Sequence, residues 1–213
     1  MKGVASAPGA GTVLNALATH RGSAFGIDVD TTATVHLDPS AETVTGEIAA
    51  APDGDTRLIE RCVSLVTQRF GDGEGGTVHT KSEVPMAAGL KSSSAAANAT
   101  ILATLDALGV SVVDPTDERE LGGDAVVDSE DAVTSLDACR LGVEAARDVG
   151  VTITGAFDDA AASMIGGVVV TDNDTDELLA REARDWDVLV WTPPERAYSA
   201  DADVDRCGHI TEM

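Results

Sequence analysis

A chain of 213 residues is long enough for one ordinary domain, or two small ones in close contact, and for a sizeable buried core. Apolar residues make up 43% and aromatics only 3%, with 33 alanines, so the core must be built from Ala, Val, Leu and Ile, and general disorder is excluded. Thirty-seven acids against 14 Lys and Arg give a formal charge of −23, and only Lys2, Lys81 and Lys91 are lysines; such a surface repels nucleic acid and anionic membrane, and its acid surplus reads as the adaptation of a halophile to concentrated salt.

There is no apolar run of the ~18 residues that a membrane span needs, and the first residues lack the apolar core of a secretion signal, so a cytoplasmic protein is expected. Cys62, Cys139 and Cys207 are far apart and in no metal-ligand spacing, and read as buried, reduced thiols. Residues 31–37 alternate Ala33, Val35, Leu37 with Thr32, Thr34, His36, the period of a half-buried strand, and 43–48 is a plausible partner across Asp38-Pro39-Ser40. Leu58, Ile59, Cys62, Val63, Leu65 and Val66 predict a helix over 56–70, stopped by the glycine-rich loop 71–76. A strand over 78–84 follows, then a small-residue loop, then a buried helix over 93–108 ended by Gly109. Between Asp114 and Asp137 nine acids and one base predict a solvated helical surface. Further on, 136–149 reads as helix, 152–154 as a short strand, 159–164 as one or two helical turns, 166–170 as the start of a strand, and 187–192 as a last strand halted by Pro193-Pro194. Mixed strand and helix around one shared core is the expected architecture.

The strongest chemical feature is the loop Pro85, Met86, Ala87, Ala88, Gly89, Leu90, Lys91, Ser92, Ser93, Ser94, Ala95 between a strand and an alanine-rich helix. Small residues let a ligand approach the backbone, the first-turn N–H groups are free, and the helix dipole puts partial positive charge there. Lys91 and three hydroxyls add a cation and further donors, enough for a triphosphate or the Mg²⁺ it carries. The bland alternative is a helix start capped by its own serines. A Walker A loop is excluded, because glycine is missing at Val84–Pro85 and at Leu90.

The pattern P-x-x-x-G-L-x-S-S-x-A resembles the second motif of the GHMP kinases, most of which have Gly where this chain has Lys91. The variant G-L-K-S-S-S-A-A-A-N-A and the run Gly155-Ala156-Phe157-Asp158-Asp159-Ala160 resemble the archaeal shikimate kinases of that superfamily. Residues 7–17 with Gly26-Ile27-Asp28 are similar to the first motif, a strand that enters the site beside the phosphoryl acceptor. The resemblance implies an α+β GHMP-kinase fold: an N-terminal mixed α/β sandwich over residues 1–170, which binds ATP and does the chemistry, then the beginning of a ferredoxin-like C-terminal domain over 171–213. The third glycine-rich motif, due after ~50 or more further residues, is missing, so a truncated chain with a poorly covered apolar face is expected.

Phosphoryl transfer to a hydroxyl needs charge neutralisation at the γ-phosphate and a group that accepts or orients the hydroxyl proton. Asp158 and Asp159 are the best carboxylate pair, at a turn before small residues and Gly166-Gly167. The resemblance makes Asp159, seven residues before the glycines, the catalytic base, with Asp158 holding the turn or tuning the charge. It also implies a metal site of Ser92 and a carboxylate from the helix before, where Glu144 is favoured over Asp148. His20 and Arg21, with Asn15 and Asp28 for hydroxyls, form a candidate acceptor pocket, Arg being suited to a carboxylate such as that of shikimate. His36, His79 and His209 read as structural, and Trp186 and Trp191 as packing residues. The implied function is Mg²⁺- and ATP-dependent phosphorylation of the 3-hydroxyl of shikimate, by a cytoplasmic enzyme that could self-associate. The alternatives are a GHMP kinase for another small alcohol, such as homoserine or mevalonate, and a non-catalytic binder of phosphometabolites.

Overall fold

The computed structural model describes residues 1–85, 89–114 and 132–190. Its centre is β2 (Arg21–Asp38), antiparallel to β1 (Lys2–Leu14) along one edge. The other edge of β2 is shared: β4 (Gly75–Ser82) pairs with Thr31 to Asp38, and β7 (Val168–Asp172) pairs with Arg21 to Phe25. The sheet runs β3-β4-β2-β7-β8, with β1 on β2, where β3 is Val44–Ile48 and β8 is Glu177–Glu182. β5 (Ser111–Val113) and β6 (Ala132–Thr134) form a separate parallel pair.

The helices make two layers on the sheet. α2 (Ser92–Leu108) and α4 (Phe157–Ile165) lie on β1 and β2, α1 (Arg57–Phe70) lies on β3 and β4, and α3 (Ser135–Asp148) packs across the other three helices. α1 and α3 have one apolar face each, whereas α2 is buried on nearly every side between sheet and helices. Its alanines permit this: Ala99 and Ala103 meet Ala7, Ala33 and Val35 of the sheet, while Ile101 and Leu105 pack with Cys62, Val66 and Leu141. The approach is so close that a Cβ at Gly3 would overlap the backbone oxygen of Ala103. The core is aliphatic, with Phe157 its one fully buried aromatic among the described residues. Cys62 and Cys139 are free buried thiols, as expected, and burial pushes Cys62 up to about 12.

Several expectations are corrected. Residues 43–48 do form a strand, but it does not pair with β2; β4 occupies that edge, and β3 joins β4 in parallel through the crossover α1. Residues 152–154 are a loop with no neighbouring strand, and Ile153 is half exposed. Residues 187–190 carry no strand, and Leu189 is 97% exposed. Trp186 is exposed rather than packed. β8, which the sequence reading missed, hides behind the charges of Glu177, Arg181 and Glu182. The division placed after residue 170 falls inside β7, and β8 continues the same sheet. Most of the acidic stretch, residues 115–131, lies outside the described residues; of its remainder, 132–134 are strand β6, not helix, and 135–137 open α3. Trp191, Cys207 and His209 also lie outside them.

Candidate active site

The loop before α2 is fixed to the first strand by backbone contact. Ala10 N–H donates to Leu90 O at 3.2 Å, and a Cβ at Gly9 would come within 2.9 Å of that oxygen, so the glycine permits the approach. α2 then begins at Lys91, which holds the left-handed conformation (φ 58°, ψ 40°) and gives no side-chain cap. The helix start is therefore not the serine-capped terminus of the bland alternative; its first-turn N–H groups remain available to an anion.

α4 starts in the same way. Ala156 is left-handed (φ 51°) with no side-chain cap, and the next residues are Phe157, which anchors the helix in the core, and Asp158 and Asp159 in the first turn. Two uncapped helix starts, each preceded by a strained non-glycine residue, thus converge on one place. Left-handed conformations for such residues cost about 1 kcal/mol or more and gather at functional sites. The described residues hold four of them, Lys91, Ala156, His20 and Asp176, all at this end of the sheet or in the turn behind it.

Asp159 is 7% exposed. Its Oδ2 lies 2.9 Å from Lys91 Nζ, and its Oδ1 accepts the Thr12 hydroxyl at 3.3 Å. Burial, then the adjacent Asp158 carboxylate, pushes Asp159 up to about 6, against the opposite pull of Lys91 and Thr12. That is the range of a general base poised for neutral pH. Asp158 is 3% exposed and accepts the Asn173 side-chain amide at 2.8 Å.

A cleft of about 190 Å³ opens over Asp159. Its walls include Thr12 of β1 with Asn15 and Leu17 just after it, Lys91 at the N-cap of α2 with Ser93 and Ser94 of its first turn, Gly142 and Val143 from α3, and the loop 151–156. The structure thus brings together Asp158, Asp159, Lys91, Ser93, Ser94 and Asn15 of the residues named from sequence. Pro85, Gly89, Leu90, Ser92 and Ala95 shape the loop without lining the cleft, and Met86, Ala87 and Ala88 lie outside the described residues.

The other candidates stand elsewhere. His20 Nδ1 is 2.9 Å from Asp174 and Arg21 Nε is 3.6 Å from Asp172, so both side chains are engaged by acids of β7 and the β7–β8 turn, and neither lines the cleft. Asp28 is exposed on β2 and does not line the cleft. Glu144 is on the exposed face of α3, one residue from the lining Val143, because the turn of the helix carries it outward. Asp148, its rival, is engaged by Arg61 at 2.7 Å. The pair Ser92 and Glu144 is therefore not assembled at the cleft. Among the described residues no three His, Cys, Asp or Glu side chains come together as a metal-holding group. The sequence does not single out Thr12, although it sits in the first motif, nor residues 151–154 of the cleft-lining loop, of which 152–154 read as a strand.

No helix of the described residues is long and apolar enough to cross a membrane. The sequence profile of the GHMP kinases N terminal domain matches residues 57–167. A curated relative from Halobacterium salinarum (strain ATCC 29341 / DSM 671 / R1), named shikimate kinase, is 62% identical over 213 residues, covering 100% of this chain and 68% of the relative. One from Methanosarcina mazei with the same name is 51% identical over 206 residues, covering 97% of this chain and 63% of the relative. The chain thus spans about two thirds of the length of these relatives. In fold it is similar to a homoserine kinase from Cytophaga hutchinsonii (TM-score 0.58, 14% identity, 84% of this chain and 51% of that one). A mevalonate diphosphate decarboxylase from Enterococcus faecalis is equally similar (TM-score 0.58, 21% identity, 87% and 52%). With the profile match over half of its length and relatives of this identity, the chain belongs to the GHMP kinases, in the branch of the archaeal shikimate kinases.

Proposed function

We propose that this chain transfers the γ-phosphoryl group of ATP to the 3-hydroxyl of shikimate, making shikimate 3-phosphate on the cytoplasmic route to chorismate and the aromatic amino acids. The observation that carries the reading is the buried Asp159 between Lys91 and Thr12, at the junction of two uncapped helix starts. Phosphoryl transfer asks the protein for little covalent chemistry; it needs positioning, charge neutralisation and a group to take the acceptor's proton. The start of α2 supplies the phosphate side, with backbone N–H groups and the Ser93 and Ser94 hydroxyls. Magnesium enters with the nucleotide as MgATP, a substrate. Asn15 and the loop 151–156 face the acceptor, with Thr152 and Thr154 offering hydroxyls for its ring hydroxyls. Asp159, ionised above about pH 6, accepts the proton of the attacking hydroxyl. Lys91 lies between that carboxylate and the phosphate side, and in the reacting complex it balances charge on both.

The test is an ATP-consumption assay in molar KCl with shikimate, homoserine and mevalonate as acceptors, with the product identified by mass. Turnover with shikimate alone is expected. Turnover with homoserine or mevalonate in its place would overturn the acceptor, and ATP binding without turnover on any of the three would leave a phosphometabolite-binding protein.

A further inference from the structure

Asn173 stands outside the cleft, in the turn between β7 and β8, yet it is only 2% exposed and every polar group it has is engaged. Its main-chain N–H donates to His20 O at 2.7 Å, and its main-chain oxygen accepts from Arg147 Nη2 at 3.2 Å. Its side-chain Oδ1 accepts the hydroxyl of fully buried Thr171 at 2.7 Å, which turns the amide nitrogen inward to donate to Asp158 Oδ1 at 2.8 Å. On β2, Gly22, the register partner of Thr171, leaves the room: a Cβ there would overlap the Asp158 carboxyl. A buried amide held at four points and aimed at one carboxylate is placed to control that carboxylate.

We propose that Asn173 is a positioning residue of the phosphoryl-transfer step, fixing Asp158 as the charged member of the Asp158–Asp159 pair so that Asp159 is the member that handles the proton. This rests on Asp159 as the base. Two adjacent buried carboxyls do not both ionise freely: an amide donor on Asp158 favours its charged form, and that charge, with burial, opposes charge on Asp159. Asp159 meets Lys91 from α2 and Thr12 from β1, which favour its charged form, and Asp158 within α4, which opposes it. Around Asp158 the ionic groups are paired off in the turn: Arg147 with Asp176, His20 with Asp174, and Arg21 with Asp172. Asn173 is the neutral donor between them and the pair.

The test is the acid limb of the kcat against pH profile. Asn173→Ala and Asp158→Asn should each displace the limb to lower pH, by about one unit, because each relieves Asp159 of a fixed neighbouring charge. The double variant should move it no further than Asp158→Asn alone. Thr171→Val, which frees the amide at nearly constant volume, should shift it in the same direction by less. The displacement should persist in a His20→Asn background, which removes the imidazole beside Asp174. A fall in kcat with the limb unmoved in Asn173→Ala would make Asn173 a packing residue and overturn the proposal, as would additive shifts in the double variant. If Asn173→Ala does not fold, Thr171→Val and Asp158→Asn decide the matter by the same criterion. A limb that persists in Asp159→Asn would overturn the base assignment itself; one that vanishes there but stays fixed in Asn173→Ala would overturn only the role of Asn173.

Discussion

Asp159 owes its raised pKa to being nearly out of water beside a second carboxylate. Its pKa of about 6 means that the folded protein holds this proton more tightly than the unfolded chain, whose Asp titrates near 4. The contribution to stability is therefore fully present below about pH 4 and is lost as pH rises through about 6. Asp159→Asn removes the charge at neutral pH, so at pH 7.5 it should raise the unfolding free energy by about 2 kcal/mol while lowering kcat by roughly 10²–10⁴-fold. Thermal melts and initial rates on the same sample check this pair of opposite effects; near-normal turnover would remove Asp159 from the chemistry. Lys91 acts the other way on the same group, at 2.9 Å. Lys91→Met, which keeps the length of the chain and loses the cation, should move the acid limb of kcat to higher pH and weaken ATP binding. The loss of affinity should shrink as KCl is raised, because the missing attraction is electrostatic. Titration of ATP at 0.2 and 2 M KCl reads the second effect.

At the scale of elements, the site depends on how closely α2 lies on β1. Gly3→Val should cost about 2 kcal/mol or more, because the side chain meets the backbone of α2 at Ala103 and Ala107, which has nowhere to go. A melting temperature unchanged by this substitution would show that the helix packs less closely than described. Among the described residues, α1, α2 and α3 were legible from hydrophobic spacing and punctuation, and α4 only as one or two turns over 159–164: Gly71 ends α1, and Gly109, at φ 76°, ends α2. What could not be read was pairing. β3 looked like the hairpin partner of β2 because they are neighbours in sequence, whereas the preference of β4 for the same edge emerges only in three dimensions. Residues 152–154 and 187–190 have strand composition but find no strand to pair with, and propensity alone does not make a ladder. Of the candidate site residues, Asp158, Asp159 and Lys91 lie together at the cleft, because their motifs are local. His20, Arg21 and Glu144 were misplaced because the side of a turn or helix on which a charge emerges depends on neighbours far along the chain, such as Asp172 and Asp174.

Over the whole molecule, a formal charge of −23 acts against compactness. The ion pairs of the described residues are mostly exposed, worth ~0–1 kcal/mol each, and do not offset that repulsion. Salt screens it, with a Debye length of about 3 Å at 1 M, so the melting temperature should climb steadily between 0.1 and 2 M KCl. Indifference to salt over that range would show that the acidic surface has some other purpose. The central claim is that a carboxylate buried between two uncapped helix starts takes the acceptor's proton in a sheet-and-helix scaffold that places it there. Its most direct test is the pH dependence of kcat for shikimate phosphorylation in 2 M KCl between pH 4.5 and 8.5. The account predicts one acid limb with a midpoint near 6 in the unaltered chain, and its loss, together with most of the rate, in Asp159→Asn. A profile flat through that range, or a limb near 4 as for a solvated aspartate, would contradict it.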